Sequence, residues 1–364
     1  MADVFEHLVS CLKNKEQVVL ATIISSSGSA PLPAGALMLV KDGGTMTLGT
    51  VGGGLLEARV TEEAGKYFKT KVPASIHKID LNDDVSNEGM ICGGSVEVLL
   101  ESIDYSEQGV FRKIQEVREA GEDCVLIRCI DPVRRTIDRI VVESQSTTTS
   151  GLERLLENMG ADNNAVTEAV RHVFTQDIVR RVPGVRGEII VQPVHGLQHL
   201  IIFGGGHISK HLSTIASVAG FSVSVIDDRE EYADPSRFPE ASRVLALDYK
   251  GAFATIVPTP TTFIVIVTRG HQSDQEVLAA ALKTQARYIG MIGSKRKVIS
   301  CFKNLQAQGV SGSALKRIYA PIGLDIGAVT AEEIAVSIVA ELIRVRRGQN
   351  TPSIPLSEQV KNLI

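Results

Sequence analysis

The stretch "IIFGGGHISKHL", residues 201–212, decides how the second half of this chain is read. An apolar run ends in three consecutive glycines, and helical spacing follows at once. Ile208, Leu212, Ile215 and Ala216 share one face, and Gly220 sits where such a helix would stop. Gly204 and Gly206 match the first two glycines of G-x-G-x-x-G, with Ser209 at the third. Gly204 permits the tight turn, Gly206 lets a phosphate approach the backbone, and Ser209 is small enough for close helix–strand packing. Free N–H groups at the helix start, Gly205 and His207 among them, would then face an anion. Asp227 ends the next apolar run, about 20 residues on, where an acid accepts from a ribose hydroxyl. The competing reading is a tight strand-to-helix turn with no ligand.

Working outward, apolar runs at 199–203, 221–228, 242–248, 261–270 and 286–293 alternate with helical segments such as "DQEVLAAALKTQ". Repeated βα units predict a parallel sheet covered on both faces, a Rossmann-like domain over 197–350 with a tail at 351–364. Upstream the pattern is different. Strands are predicted at 18–24, 36–40, 45–51, 74–81 and 94–102, with a loop at 25–35 and a tight loop at 87–94. They form a mixed α+β domain over 1–105. A middle α/β segment, 106–196, carries a helix at 107–121, a hairpin of 123–130 with 137–143, a polar loop at 144–151 and helices to about 175. It is expected to join the N-terminal domain. The fold class is α/β.

With 364 residues and 44% hydrophobic content, each domain can bury an ordinary core. A net charge of -4 argues against a duplex-binding surface, and 4% aromatics without Trp argues against a single-strand stacking platform. No apolar run approaches the roughly 18 residues of a membrane span. The five cysteines are scattered without a CxxC pair, which points to a reduced, cytoplasmic protein without structural zinc. No nucleic-acid or membrane partner is expected.

Other residues point to the same edge of the predicted sheet. Ser294, Lys295, Arg296 and Lys297 open a predicted helix, where cations oppose the helix dipole unless an anion answers them or water solvates them. His271 and Asp274 follow the strand at 261–270, and His207 follows the glycine loop. Asp274 is placed to cap its helix, whereas the histidines suit metal ligation, acid–base work or phosphate binding. Asp325 lies in a loop between Gly323 and Gly327, before a helix with Thr330 and Glu333 at capping-box spacing. In the first domain, Gly52, Gly53 and Gly54 precede a helix with Glu57 in its first turn, a second candidate anion cradle. Cys92, beside Gly93 and Gly94, is either a small buried residue in a tight turn or an exposed thiol able to bind a soft metal or carry sulfur.

Taken together, "GSAPLPAGALMLV", "GTVGGGLLEARV" and "CGGSVEVLLE" resemble the N-terminal domain of the XdhC/CoxI family, the xanthine dehydrogenase accessory proteins. "LIIFGGGHIS", "VIDDREEYADPSRFP", "TRGHQSDQEVL", "YIGMIGSKRK" and "PIGLDIGAVTAEEIAVSIVAEL" are similar to its Rossmann domain. The resemblance covers roughly residues 10–100 and 197–348. It implies a maturation factor, more a cofactor-binding chaperone than a turnover enzyme. Such a factor binds molybdenum cofactor, protects it during sulfuration and passes it to a molybdenum hydroxylase apo-enzyme. It also implies a cysteine desulfurase as partner and a homodimer. The cofactor carries a phosphate and often a nucleotide, which suits an anion-accepting crevice. The chain has Gly-Gly-Gly where many relatives have Gly-Ala-Gly, and one cysteine before Gly93 where some have two, which speaks against a dithiol mechanism. An NAD(P)-dependent oxidoreductase using the same crevice, with His271 or His207 as proton donor, is the competing function.

Overall fold

The computed structural model describes residues 3–28, 32–70, 72–80, 94–143, 150–176 and 178–348. They divide into two compact units on either side of Leu197. The first holds α1 (Val4–Lys13), β1 (Val18–Gly28), β2 (Leu37–Lys41), β3 (Met46–Gly49), α2 (Gly54–Tyr67), β4 (Ala74–Asp80) and β5 (Gly94–Ile103). It continues through α3 (Gln108–Glu119), β6 (Cys124–Asp131), β7 (Thr136–Glu143), α4 (Ser150–Met159), α5 (Asn163–Gln176), β8 (Arg180–Gly184) and β9 (Gly187–Val194).

Its strands make two antiparallel sheets, ordered β3-β2-β1-β5-β4 and β7-β6-β9-β8. Strand β1 is apolar on both faces. Val19, Ala21 and Ile23 join the α2 side, while Val18 and Leu20 join α1, α3 and the second sheet. Helices α4 and α5 cover the far face of the second sheet through Leu152, Leu156, Val166 and Val170. Where the two sheets meet, five buried polar side chains interlock. Arg128 donates to Glu101 (2.6 Å), Thr22 (3.1 Å) and Gln192, and Arg139 donates to the other oxygen of Glu101 (3.0 Å) and contacts Glu107. Arg128 and Glu101 are wholly buried, so it is Arg139, Thr22, Gln192 and each other, rather than water, that satisfy them.

Several elements depart from the sequence expectation. The loop expected at 25–35 starts late, because β1 runs on to Gly28 and pairs with Gly94 past an irregularity at Ile23–Ser25. Helix α1 is an added element, capped by Asp3, whose carboxylate accepts from the N–H of Phe5 and Glu6 and takes Arg118 in two bonds of 2.7 and 2.6 Å. The β8–β9 hairpin is also added. The loop expected at 87–94, and with it Cys92 and Gly93, lies outside the described residues, as do 144–149 and the tail from 349.

The second unit alternates strand and helix. It holds β10 (Gln198–Phe203), α6 (His207–Val218), β11 (Phe221–Asp227), β12 (Arg243–Ala246), α7 (Tyr249–Thr255), β13 (Phe263–Ile266) and α8 (His271–Ala281). After these come β14 (Tyr288–Met291), α9 (Lys295–Ala307), the short α10 (Gly312–Leu315), β15 (Ile318–Tyr319) and α11 (Ala331–Arg346). All six strands are parallel, in the order β12-β11-β10-β13-β14-β15. Ile201, Phe203, Ile264 and Ile266 face α7, α8 and α9, while Leu200, Ile202, Phe263 and Val265 face α6 and α11. Burial on both faces is why these strands are unbroken apolar runs. The strand order reverses at β10, so β10 and β13 send their following helices to opposite faces. In open parallel sheets the carboxyl ends of two such strands are where ligands are held.

Candidate functional site

Glycines 204–206 sit at that reversal. Gly204 has φ +106, and a Cβ there would lie 2.5 Å from the Val267 carbonyl oxygen, so the turn presses against the end of β13. A Cβ on Gly205 would overlap the Tyr232 carbonyl. Gly206 differs: nothing lies within 4 Å of its Cβ position. Two glycines thus serve close packing, and the third faces open space. Ser209 is fully buried and its hydroxyl donates to the Gly204 carbonyl, closing the turn from below. Helix α6 begins at Gly206 with no side-chain cap, leaving its first N–H groups without a protein acceptor from a cap.

Asp227 is tied into the glycine turn. It is 1% exposed. One oxygen accepts from the Gly205 N–H (2.7 Å) and Arg229 (3.1 Å), the other from the N–H and Nε of Arg229 (3.1 and 2.9 Å). Burial works to raise this carboxyl, but the bonds from Arg229 and Gly205 outweigh it and hold it below the usual carboxylate range. Asp227 therefore fixes the glycine turn from behind, with both oxygens already engaged. The Arg229 guanidinium in turn lies 3.5 Å over the Tyr232 ring, and Arg237 donates to the Gly205 carbonyl (3.0 Å).

The remaining candidates of this unit gather on the same sheet edge. His207 and His271 are the first residues of α6 and α8, both exposed, and α8 also starts on a glycine without a side-chain cap. Asp274, 1% exposed, accepts from the Thr268 hydroxyl (2.6 Å) and pairs with Lys297. Of the three cations, Lys297 thus has an internal partner. Ser294 caps α9 by accepting from the Lys297 N–H (3.3 Å), while Lys295 and Arg296 are exposed and form no ion pair among the described residues. Asp325 is exposed in the loop after β15. That loop is held by buried Glu341, which accepts from Gly323 N–H (2.9 Å) and the Tyr288 hydroxyl (2.6 Å). The sequence reading did not single out Asp228, Arg229, Arg237, Tyr249 or Arg269, which reach this edge only through the strand order.

The other glycine triplet is closed. Gly52 N–H donates to Thr50 (3.0 Å), Gly53 N–H donates to Glu57 (3.1 Å), and the Thr50 hydroxyl donates to the same carboxylate. Glu57 thus stands over the start of α2 where an anion would have to lie. Gly94 opens β5 opposite Gly28. Of the cysteines, Cys11, Cys124, Cys129 and Cys301 are buried. Burial pushes the Cys11 thiol to about 11 and those of Cys124 and Cys129 to about 12, so none of these three carries thiolate at neutral pH. Among the described residues no cluster of three metal-ligating side chains occurs, and no helix is long and apolar enough to cross a membrane.

Comparison with known proteins fits this arrangement. The XdhC Rossmann domain matches residues 200–342, and the XdhC and CoxI family matches residues 11–80. A Bacillus subtilis protein named as a probable xanthine dehydrogenase component is 29% identical over 353 residues, covering 93% of this chain and 96% of its own. The Escherichia coli protein named "Molybdenum cofactor insertion chaperone PaoD" is 22% identical, covering 95% of this chain and 88% of its own. A crystal structure from Bacillus halodurans, described as a xanthine dehydrogenase, is 26% identical with a TM-score of 0.74 and covers 97% of this chain and 99% of its own. The match at 11–80 precedes the match at 200–342, on which the parallel sheet falls, so the chain carries an XdhC Rossmann domain and, before it, a segment similar to the XdhC and CoxI family.

Proposed function

We propose that this chain is an accessory factor for a xanthine dehydrogenase-type molybdenum hydroxylase, binding molybdenum cofactor as cargo and delivering it to the apo-enzyme. The observation that carries this reading is the open glycine turn: Gly206 bare of neighbours, α6 without a cap, and the turn set at the reversal of strand order. Donors so placed suit the cofactor's phosphate. Gly206 and the first turn of α6 would hold that phosphate, and His207 and His271 stand beside it. When bound, the cofactor supplies the molybdenum chemistry of the client hydroxylase; the chain's own part is to bind, orient and shield it. Sulfuration by a cysteine desulfurase, with Cys92 as the thiol, and action as a homodimer belong to the same proposal.

The test is retention of molybdenum cofactor and activation of an apo-hydroxylase by wild type, Gly206→Val and Cys92→Ser. Loss of retention in Gly206→Val at unchanged melting temperature supports the reading, and full retention overturns it. Normal activation by Cys92→Ser removes the sulfur-carrier part alone. The rival reading, an NAD(P)-dependent oxidoreductase using the same crevice with His271 or His207 as proton donor, requires hydride transfer to a substrate by the purified protein.

A further inference from the structure

The loop between β15 and α11 is tied down along its length, yet it turns its apolar side chains outward. Buried Glu341 takes the Gly323 N–H, and the Ser337 hydroxyl donates to the Leu324 carbonyl (2.6 Å). The Glu333 carboxylate accepts from the N–H groups of Val329 and Thr330 (2.8 and 3.1 Å). Gly323 and Gly327 supply the bends, at φ +98 and +74. On this fixed frame Ile326 is 53% exposed, Val329 82% and, in the second turn of α11, Val336 47%. An apolar residue just before a helix N-cap ordinarily packs onto the fourth helical residue, here Ile334. At 82% exposure Val329 stands out in water instead. The patch also borders the candidate site. His211, one turn after His207 on α6, reaches Glu332 in the first turn of α11 (3.2 Å), so the starts of the two helices lie side by side. Exposed Asp325, Glu332 and Glu333 give the patch an acidic rim, and Asp325 forms no ion pair among the described residues.

We propose that Ile326, Val329 and Val336 form the surface on which the apo-hydroxylase docks, through an apolar anchor ringed by lysines or arginines. The proposal rests on the chain being a cofactor carrier. Cargo handed over directly leaves from where the two proteins touch. A contact remote from the open start of α6 would oblige the cofactor to cross water. The acidic rim decides the occupant. It repels nucleic acid and anionic lipid alike, and a two-fold contact of this face with a second copy would set Asp325 and Glu332 against their own counterparts. A basic rim on a different protein meets the same carboxylates with opposite sign. The fixed loop suits such a partner, because a surface already held in place loses little conformational freedom when it is covered.

The experiment measures binding of the full chain to a purified xanthine dehydrogenase-type apo-hydroxylase, isolated without molybdenum cofactor, by biolayer interferometry at low and high salt. Cofactor retention, melting temperature and sedimentation of the chain alone are recorded beside it. Wild type is compared with the double variant Ile326→Ser/Val329→Ser, with Asp325→Lys and with Gly206→Val. Val218, 61% exposed at the C-terminal end of α6, supplies the control Val218→Ser. The double variant is expected to dock about tenfold or more weaker, with retention and melting temperature unchanged. Asp325→Lys should slow association and lessen its salt dependence, and Val218→Ser should match wild type. Wild-type docking by both the double variant and Asp325→Lys overturns the proposal, as does an equal loss in Val218→Ser. A shift from dimer to monomer in the double variant with docking intact assigns the patch to a second copy and overturns it too. Gly206→Val should lose retention and keep docking. Full retention in Gly206→Val, with docking still lost in the double variant, overturns the glycine-turn reading and leaves the docking surface standing.

Discussion

Two glycine triplets precede helices in this chain, at 52–54 and at 204–206, and they treat the helix start in opposite ways. In the first, Glu57 folds back from the first turn of α2 and takes the Gly53 N–H and the Thr50 hydroxyl, so the positive end of the helix has its anion built in. In the second, the acid comes from the neighbouring strand. Asp227 takes the Gly205 N–H from behind, stiffens the turn and leaves the start of α6 uncovered. A glycine triplet before a helix thus says little about ligands until the position of the nearest carboxylate is known. An acid within the helix closes the cradle, and an acid beneath it holds the cradle open.

The contrast can be broken most forcefully at Gly205. Gly205→Ala drives a Cβ into the Tyr232 carbonyl and should cost about 3 kcal/mol or more, because neither backbone can yield cheaply. Gly53→Ala meets no neighbour, and its cost, about 1–3 kcal/mol, comes from the backbone alone, held at φ +74 and ψ 179. Chemical denaturation of each variant, followed separately for the two units, checks the difference; similar losses would mean the two turns are equally tolerant.

A second separation comes from pH. Burial, and then Arg243, push His199 on β10 down to about 4, and its Nε2 lies 2.8 Å from the Ser224 hydroxyl. The imidazole is neutral in the fold, whereas the unfolded chain protonates near 6.5. The stabilisation is complete above that value and is lost as pH falls toward 4, by roughly 1–3 kcal/mol. Melting curves recorded from neutral into mildly acidic buffer should show this acid loss in the second unit, and His199→Gln should flatten it.

Gly206→Val sharpens the comparison at the ligand. Affinity for a phosphate-bearing ligand should fall at least about tenfold while unfolding stays unchanged, since the added side chain enters open space. The smallest effect belongs to Glu57→Gln. Weakening the built-in anion of α2 should cost about 0.5–1 kcal/mol, and phosphate should then protect the unit against heat where it did not before. No gain from phosphate would show that Thr50 alone keeps the first cradle shut.

The parallel sheet was the most legible part of the chain, because strands buried on both faces read as unbroken apolar runs such as "LIIF" and "FIVI". The β8–β9 hairpin was not, since Arg180, Arg181 and Pro183 make β8 look like a loop, and only pairing with β9 explains them. Helix α1 was also hidden: its cap, Asp3, takes its second partner, Arg118, from a distant helix. At the site, the glycine turn and the histidines were visible from local pattern. The engagement of Asp227 by Arg229 and the Gly205 N–H was not, because spacing alone does not tell which side of the strand end Arg229 lines. Arg269 and Tyr249 come to this corner through sheet order, which no local window contains.

The buried contact of Arg128 and Arg139 with Glu101 has a consequence for how this sequence can drift. One acid serves two cations from two strands of the facing sheet, so the three positions form a single unit of inheritance. Exchange of Glu101 alone strands Arg128 in the interior and leaves Arg139 only its contact with Glu107, whereas exchange of either arginine still leaves Glu101 a cation. Once assembled, such a triad resists piecemeal revision, and it ties the divergence of β5 to that of β6 and β7 across the sheet interface.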